Sequence, residues 1–117
     1  MPLYVKDLVT PRRSSVNVAI TSTVVVAMTS LYGEDEVVIE LVNTGSDTFN
    51  GSIYVSKTGT SPSELLPDDT FKSMAPNTVR SWRGPSAHGY IEIDGSFVAT
   101  PGTIQKTVQL LRSIGRG

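Results

Sequence analysis

Few residues of this 117-residue chain could do chemistry. There is one histidine, His88, and no cysteine. Without thiols there are no disulfides, thiolate nucleophiles or Cys-ligated zinc. A lone histidine also excludes a His-pair metal site and a His relay. His88 sits in Gly84-Pro-Ser86-Ala-His88-Gly89, with Ser86 two residues before it. On an extended strand such a pair shares a face, so the two side chains could meet as nucleophile and base. A working triad also needs an orienting third group and a sharp turn under the serine, and nothing around Ser86 supplies them. His88 is expected to be an ordinary loop histidine, and no enzymatic activity is expected.

The acidic residues gather at Glu34-Asp35-Glu36 and Asp68-Asp69. Neither cluster has calcium-loop spacing, and adjacent carboxylates on a strand point to opposite faces. Both are expected to be solvated turns, with no metal and no other cofactor. The glycines are scattered at turns and build no phosphate-cradling loop. Asn50-Gly51-Ser52 matches a glycosylation sequon, but no secretory leader accompanies it. The most apolar window, Val24–Met28, is far shorter than a membrane span.

The basic residues are Arg-rich: Arg12-Arg13, Arg80, Arg83, Arg112 and Arg116, with Trp82 and Tyr90 nearby in sequence. Ten Lys and Arg against eleven Asp and Glu leave a net charge of −1. No long-range field attracts nucleic acid or an anionic membrane, so neither is an expected partner. Arg80-Ser-Trp-Arg83 reads as core plus rim, or as part of a protein interface. A second reading groups Trp82, Arg83, His88 and Tyr90 around the Gly-Pro loop as a carbohydrate- or ligand-binding platform.

The elements that must position these residues are strands. Val16, Val18, Ile20, Val24, Val26 and Met28 all fall at even positions, which is the period of a strand with one buried face. Val37, Ile39 and Leu41 form the next such face, and Phe49, Ile53 and Val55 the one after. Asn43-Thr-Gly-Ser-Asp47 is the turn between those two strands. The break over Lys57–Asp69 suits one helical turn after Ser61, bounded by Pro62 and Pro67. Thr70–Met74 and Thr78–Arg83 read as short strands. Asp94-Gly95 reads as a type I′ hairpin turn between Tyr90–Ile93 and Ser96–Ala99, and Pro101-Gly102 as a type II turn. Thr103–Ile114 reads as a last strand, with Ile104, Val108 and Leu110 on one face and Lys106 beside them, or as a helix with Ile104, Val108, Leu111 and Gly115 near 3.6 spacing. The preceding meander, Thr103 and Thr107 favour the strand.

About eight strands at roughly 8–12-residue spacing predict an all-β antiparallel β-sandwich, either jelly-roll or immunoglobulin-like. Residues 1–15 read as an extended N-terminal arm and 16–117 as the single sandwich domain. The arm carries Leu3, Tyr4, Val5 and Leu8 ahead of Arg12 and Arg13, a set suited to docking on a neighbouring subunit. A frayed terminus is the other reading of the same residues.

Three stretches carry a resemblance: Val37-Val-Ile-Glu-Leu-Val-Asn-Thr-Gly-Ser-Asp-Thr-Phe-Asn-Gly51, Tyr90-Ile-Glu-Ile-Asp-Gly-Ser96 and Lys106-Thr-Val-Gln-Leu-Leu-Arg112. Over about residues 16–112 the pattern resembles the β-sandwich domains of tailed-bacteriophage virion proteins. Asn-Thr-Gly strand pairs occur in bacterial adhesive sandwich domains as well. The resemblance implies a capsid decoration (cement) protein, or a head-fibre or tail accessory protein. The implied partners are the major capsid protein or other virion subunits. The implied state is a homo-oligomer with a trimer favoured, soluble before assembly and then on the virion surface. The 14 serines and 13 threonines suit such a surface, because hydroxyls make hydrogen bonds without charges to desolvate.

Overall fold

The alternation of apolar and polar residues closes into two facing sheets in the computed structural model, which describes residues 12–21, 23–31, 36–58, 64–85 and 89–111. The strands are β1 (Arg12–Ala19), β2 (Val24–Ser30), β3 (Glu36–Asn43), β4 (Phe49–Ser56), β5 (Glu64–Leu65), β6 (Val79–Pro85), β7 (Tyr90–Phe97) and β8 (Thr103–Leu111). One four-stranded sheet runs β1-β8-β3-β6 and the other β2-β7-β4-β5, all neighbours antiparallel. First pairs with last, second with seventh, third with sixth and fourth with fifth. That is a strip of paired strands wrapped on itself, the jelly roll. Of the two expected sandwich topologies, the strand order selects this one.

Cross-strand pairs share a face, so register fixes what points inward. In the first sheet Val108, Ile39 and Trp82 lie side by side across β8, β3 and β6. In the second, Val26, Ile93 and Ile53 do so across β2, β7 and β4. All six are buried, and Ile39, Ile53 and Ile93 have no exposed surface. The expected faces Val37-Ile39-Leu41 and Phe49-Ile53-Val55 are both core, and the last segment is the expected strand.

Several local expectations give way to packing. The Asp94-Gly95 hairpin does not form: β7 runs straight through both residues. Gly95 faces Asn50 and Phe49, where a Cβ would sit 2.8 Å from Phe49 Cε1 and 2.7 Å from the Asn50 carbonyl. A close approach, rather than a left-handed turn, requires glycine there, and Gly95 has no positive φ. Gly102 likewise lacks the positive φ of a type II turn. Thr70–Met74 is a loop with one bridge, Phe49 to Met74, because Phe71 and Met74 both turn into the core. Glu64–Leu65 pairs with Tyr54–Val55 as β5, so the expected helical turn does not extend through them. The even-numbered valine face breaks in β2. Two register shifts bury Val25 and Val26 together and leave Val24 40% exposed. Paired structure also begins at Arg12, four residues before the expected first strand.

Two stability outcomes follow from this packing. Ile39→Ala should cost about 2–5 kcal/mol in urea unfolding, while Glu40→Ala on the half-exposed face should change little. Gly95→Ala should cost about 1–3 kcal/mol by overpacking. Phe49→Leu in the same chain should recover part of the Gly95 loss, a coupling that a turn glycine would not show.

Candidate functional site

The outer face of the β2-β7-β4-β5 sheet follows from the same alternation. Because Phe49, Gly51, Ile53 and Val55 point inward, Asn50, Ser52 and Tyr54 point outward. They pair with Ser96, Asp94 and Glu92 of β7. This row of polar side chains floors an open groove of about 380 Å³, with Thr23 and Lys72 among its lining residues. The loop before β6 fixes two of the groove's groups. Lys72 Nζ donates to Ser52 Oγ at 2.8 Å, and the Ser73 N–H donates to Asn50 Oδ1 at 2.7 Å.

Glu92 and Asp94 stand two residues apart on one face of β7. The hydrogen bond with Asp94, then burial, then the Asp94 charge push the Glu92 carboxyl up to about 7. Glu92 therefore keeps its proton well above the ordinary carboxylate range and hydrogen-bonds to Asp94. Asp94 Oδ1 is buried, and no N–H or alcohol hydroxyl among the described residues donates to it. Among the described residues no group of three His, Cys, Asp or Glu could hold a metal ion.

At one end of the sandwich, Asp47 gathers backbone donors. Its Oδ2 accepts from the Ala99 and Thr100 N–H groups at 2.6 and 2.8 Å, and its Oδ1 from Thr48 at 2.8 Å. The bonds from Thr100, Ala99 and Thr48, in that order, hold its carboxyl below the ordinary value.

The candidates read from sequence are dispersed. Trp82 is 8% exposed and lies in the core, so its ring offers no stacking platform. Asp68, held low chiefly by the Thr70 hydroxyl, also accepts from the Trp82 indole. Arg83, on the opposite face of β6, makes two bonds to Glu36: Nε to Oε2 at 2.9 Å and Nη2 to Oε1 at 2.5 Å. Tyr90 opens β7 in the other sheet, opposite Ser56. His88 lies outside the described residues, as do Leu3, Tyr4, Val5 and Leu8. Arg12 and Arg13 open β1, paired with Leu110 and Gln109. The groove residues were missed because a hairpin at Asp94 would have separated Glu92 from Ser96. The signal that could have found them is the polar alternation Asn50-Ser52-Tyr54 against Glu92-Asp94-Ser96.

The edges of the two sheets differ. β5 is two residues long, and β2 carries two register shifts. β6 pairs with β3 in unbroken register over seven residues, and its Arg80 Nη1 donates to the Thr70 and Lys72 carbonyls at 3.0 and 3.3 Å. β1 pairs with β8 in unbroken register over eight residues. Val16 pairs with Lys106, which pairs with buried Leu41, so Val16 lies on the core-facing side; yet it is 49% exposed.

No family model matches the sequence, and no curated protein matches it. Solved structures do match. The SPBc2 prophage-derived protein YomS has a TM-score of 0.55 and 12% identity, covering 89% of this chain and 96% of its own. A protein of the Bacillus endospore appendages, described as disulfide-linked pili, has a TM-score of 0.49 and 12% identity, covering 92% and 91%. VP2 of the infectious bursal disease virus subviral particle has 0.38 and 11%, covering 91% of this chain and 34% of that one. At these identities the likeness is one of fold, a β-sandwich.

The carboxyl pair and Asp47 should give the stability profile opposite slopes. Glu92 has its folded value, about 7, above the ordinary 4.5, so its contribution is full below pH 4.5 and is lost as pH rises through about 7. Asp47 has its folded value below 3.8, so its contribution is present above that pH and lost as pH falls through the folded value. Urea midpoints measured across this range should fall toward neutral pH in the wild type and stay flatter in Glu92→Gln. Asp47→Asn should remove part of the acid-side loss.

Proposed function

We propose that this chain is a non-enzymatic structural protein of a virion, a capsid decoration (cement) protein that binds shell subunits and stabilises their lattice. The observation that carries the proposal is β1. A long, regular edge strand presents unpaired backbone groups, and such edges are usually shortened, bulged or covered. β5 and β2 are managed in those ways, whereas β1 and β6 pair in unbroken register over eight and seven residues, and β1 is the one that the N-terminal segment precedes. Val16 adds an apolar contact on its core-facing side. An edge of this kind takes a strand from another chain, with backbone hydrogen bonds for affinity and alternate side chains for specificity.

The rest of the molecule is compatible with assembly. The segment that precedes β1 leads directly into this edge and carries Leu3, Tyr4, Val5 and Leu8. Jelly rolls serve viral shells and lectins alike, so the fold supports the proposal without deciding it. The prophage origin of YomS agrees with the source that the sequence resemblance implies. Partners would be a shell protein or other virion subunits, on the particle surface. Self-association, with a trimer favoured, would multiply weak contacts at symmetry positions. The alternative sugar platform at Trp82, Arg83, His88 and Tyr90 draws no support from the described geometry, since Trp82 and Arg83 leave opposite faces of one strand.

The test is co-sedimentation with phage particles stripped of their accessory proteins, beside light scattering of the free chain. The full chain should bind particles saturably. Removing residues 1–11 leaves every described strand in place and should abolish binding. Val16→Lys should weaken it with the unfolding midpoint nearly unchanged. Full binding by both variants would overturn the proposal.

A further inference from the structure

The two regular edges, β1 and β6, are the outer strands of one sheet, and among the described residues no further strand pairs with either. They are eight and seven residues long. A sheet of four antiparallel strands has edges that run in opposite directions. A second copy set beside the first in the same orientation therefore brings its β1 antiparallel to β6, the more stable mode of strand pairing.

Two hydrogen bonds fix which backbone groups each edge offers. One residue beyond β1, the Ile20 N–H donates to the Gly102 carbonyl, and at the start of β6 the Thr78 carbonyl accepts from the Asn43 N–H. Along an antiparallel ladder, bonded and non-bonded pairs alternate. Val16 and Val18 thus bond inward to β8, and Ser15, Asn17 and Ala19 turn their N–H and C=O groups to the free side. In β6, Arg80 and Trp82 bond inward to β3, and Val79, Ser81 and Arg83 turn theirs outward.

Side-chain direction limits the register. Val16 and Trp82 lie on the core-facing side of the sheet, and a slip of one residue would set such side chains opposite outer ones. Of the registers that remain, the one with Asn17 opposite Ser81 uses the whole length of β6. It sets the outward backbone groups of Ser15, Asn17 and Ala19 against those of Arg83, Ser81 and Val79. It also sets Val16 beside Trp82 and Val79 beside Ala19, covering two valines that are 49% and 55% exposed. A shift of two residues one way brings the positions of Arg13 and Arg83, two like charges, opposite each other. The same shift the other way leaves Val79 beyond the end of β1.

We propose that β1 of one copy adds to β6 of the next, so that this sheet continues from copy to copy with Asn17 opposite Ser81. The proposal rests on the reading of β1 as an edge that takes a strand from another chain, and it names that strand. A second copy is the partner because β6 matches β1 in length, direction, backbone groups and face at once. The contact is heterologous, so it closes into a ring or runs on as a row.

The chain has no cysteine, so introduced cysteines report the contact directly. Asn17 and Ser81 are both exposed. Within one copy they stand three strand spacings apart, roughly 14 Å, beyond the reach of a disulfide. Asn17→Cys and Ser81→Cys chains, mixed and oxidised without particles, should give a mixed covalent dimer, with the bridge located by mass spectrometry. The double variant should give a ladder beyond the dimer. Light scattering of the wild type should show a mass above that of one chain. Asn17→Pro and Ser81→Pro each remove an outward N–H and no bond to the neighbouring strand. Each should weaken association roughly tenfold or more with a nearly unchanged unfolding midpoint, and either one suffices where the other does not fold. A wild type that stays monomeric at millimolar concentration would overturn the proposal. Covalent dimers formed chiefly between like variants would overturn it in favour of β1–β1 or β6–β6 pairing, and unchanged association of the proline variants would overturn it as well. Self-association without particle binding would count against the virion reading alone, and particle binding by a monomeric chain against this proposal alone.

Discussion

A single buried carboxamide sets the shape of one end of the sandwich. Asn43 ends β3 with no exposed surface. Its Nδ2 donates to the Met74 and Asp47 carbonyls, both at 2.8 Å, and its Oδ1 accepts from the Gly45 N–H at 2.9 Å. Its backbone bonds to Thr78 and Asn77 on the far side. A buried amide is tolerable only when such partners are in place. Satisfying it therefore dictates the turn after β3, the loop before β6 and the distance between them. The turn then positions Asp47, whose carboxylate holds the Ala99 and Thr100 amides. It also delivers Phe49 to the core, where it meets Phe97 edge-on at 5.5 Å between ring centroids. Gly45 completes the arrangement, because a Cβ there would lie 2.8 Å from the Phe97 ring.

This dependence explains which parts of the fold were legible in the sequence. β3 buries strictly alternate residues and β4 does so from Phe49 to Val55, so the period-two signal and the burial agree. Where two demands met at one residue, the local signal was misleading. Asp94-Gly95 has the composition of a hairpin turn, yet the glycine is there because the Phe49 ring and the Asn50 carbonyl leave no room for a Cβ. In β2 Val24, Val26 and Met28 fall at even positions, yet bulges at the sheet edge move the consecutive Val25 and Val26 inward. Phe71 and Met74, three residues apart, follow neither strand nor helix period. Their burial depends on Phe49, which bonds to Met74 through both backbone groups.

The candidate surfaces were legible only in part, for a related reason. Trp82 could be read as core or as contact, and register decides it: pairing with Ile39 turns it inward and turns Arg83 out. The groove is different in kind. Its floor is made by two strands 42 residues apart in sequence, Asn50-Ser52-Tyr54 and Glu92-Asp94-Ser96, joined residue by residue. Each strand alone reads as an ordinary solvated face. Only the β4–β7 pairing brings the carboxylates opposite a serine and a tyrosine, and only the loop before β6 brings Lys72 over them.

The wrapped strip of the jelly roll then separates two kinds of surface. Its outer faces are polar, and side chains from paired strands stand beside one another on them. Its edges are backbone, where another chain can add a strand. Two of the four edges, β5 and β2, are short or bulged, and β1 and β6 are regular along their length. An edge that was merely tolerated would be expected to carry similar protection. At β1, which follows the N-terminal segment in sequence, a regular edge is what the proposed assembly would use.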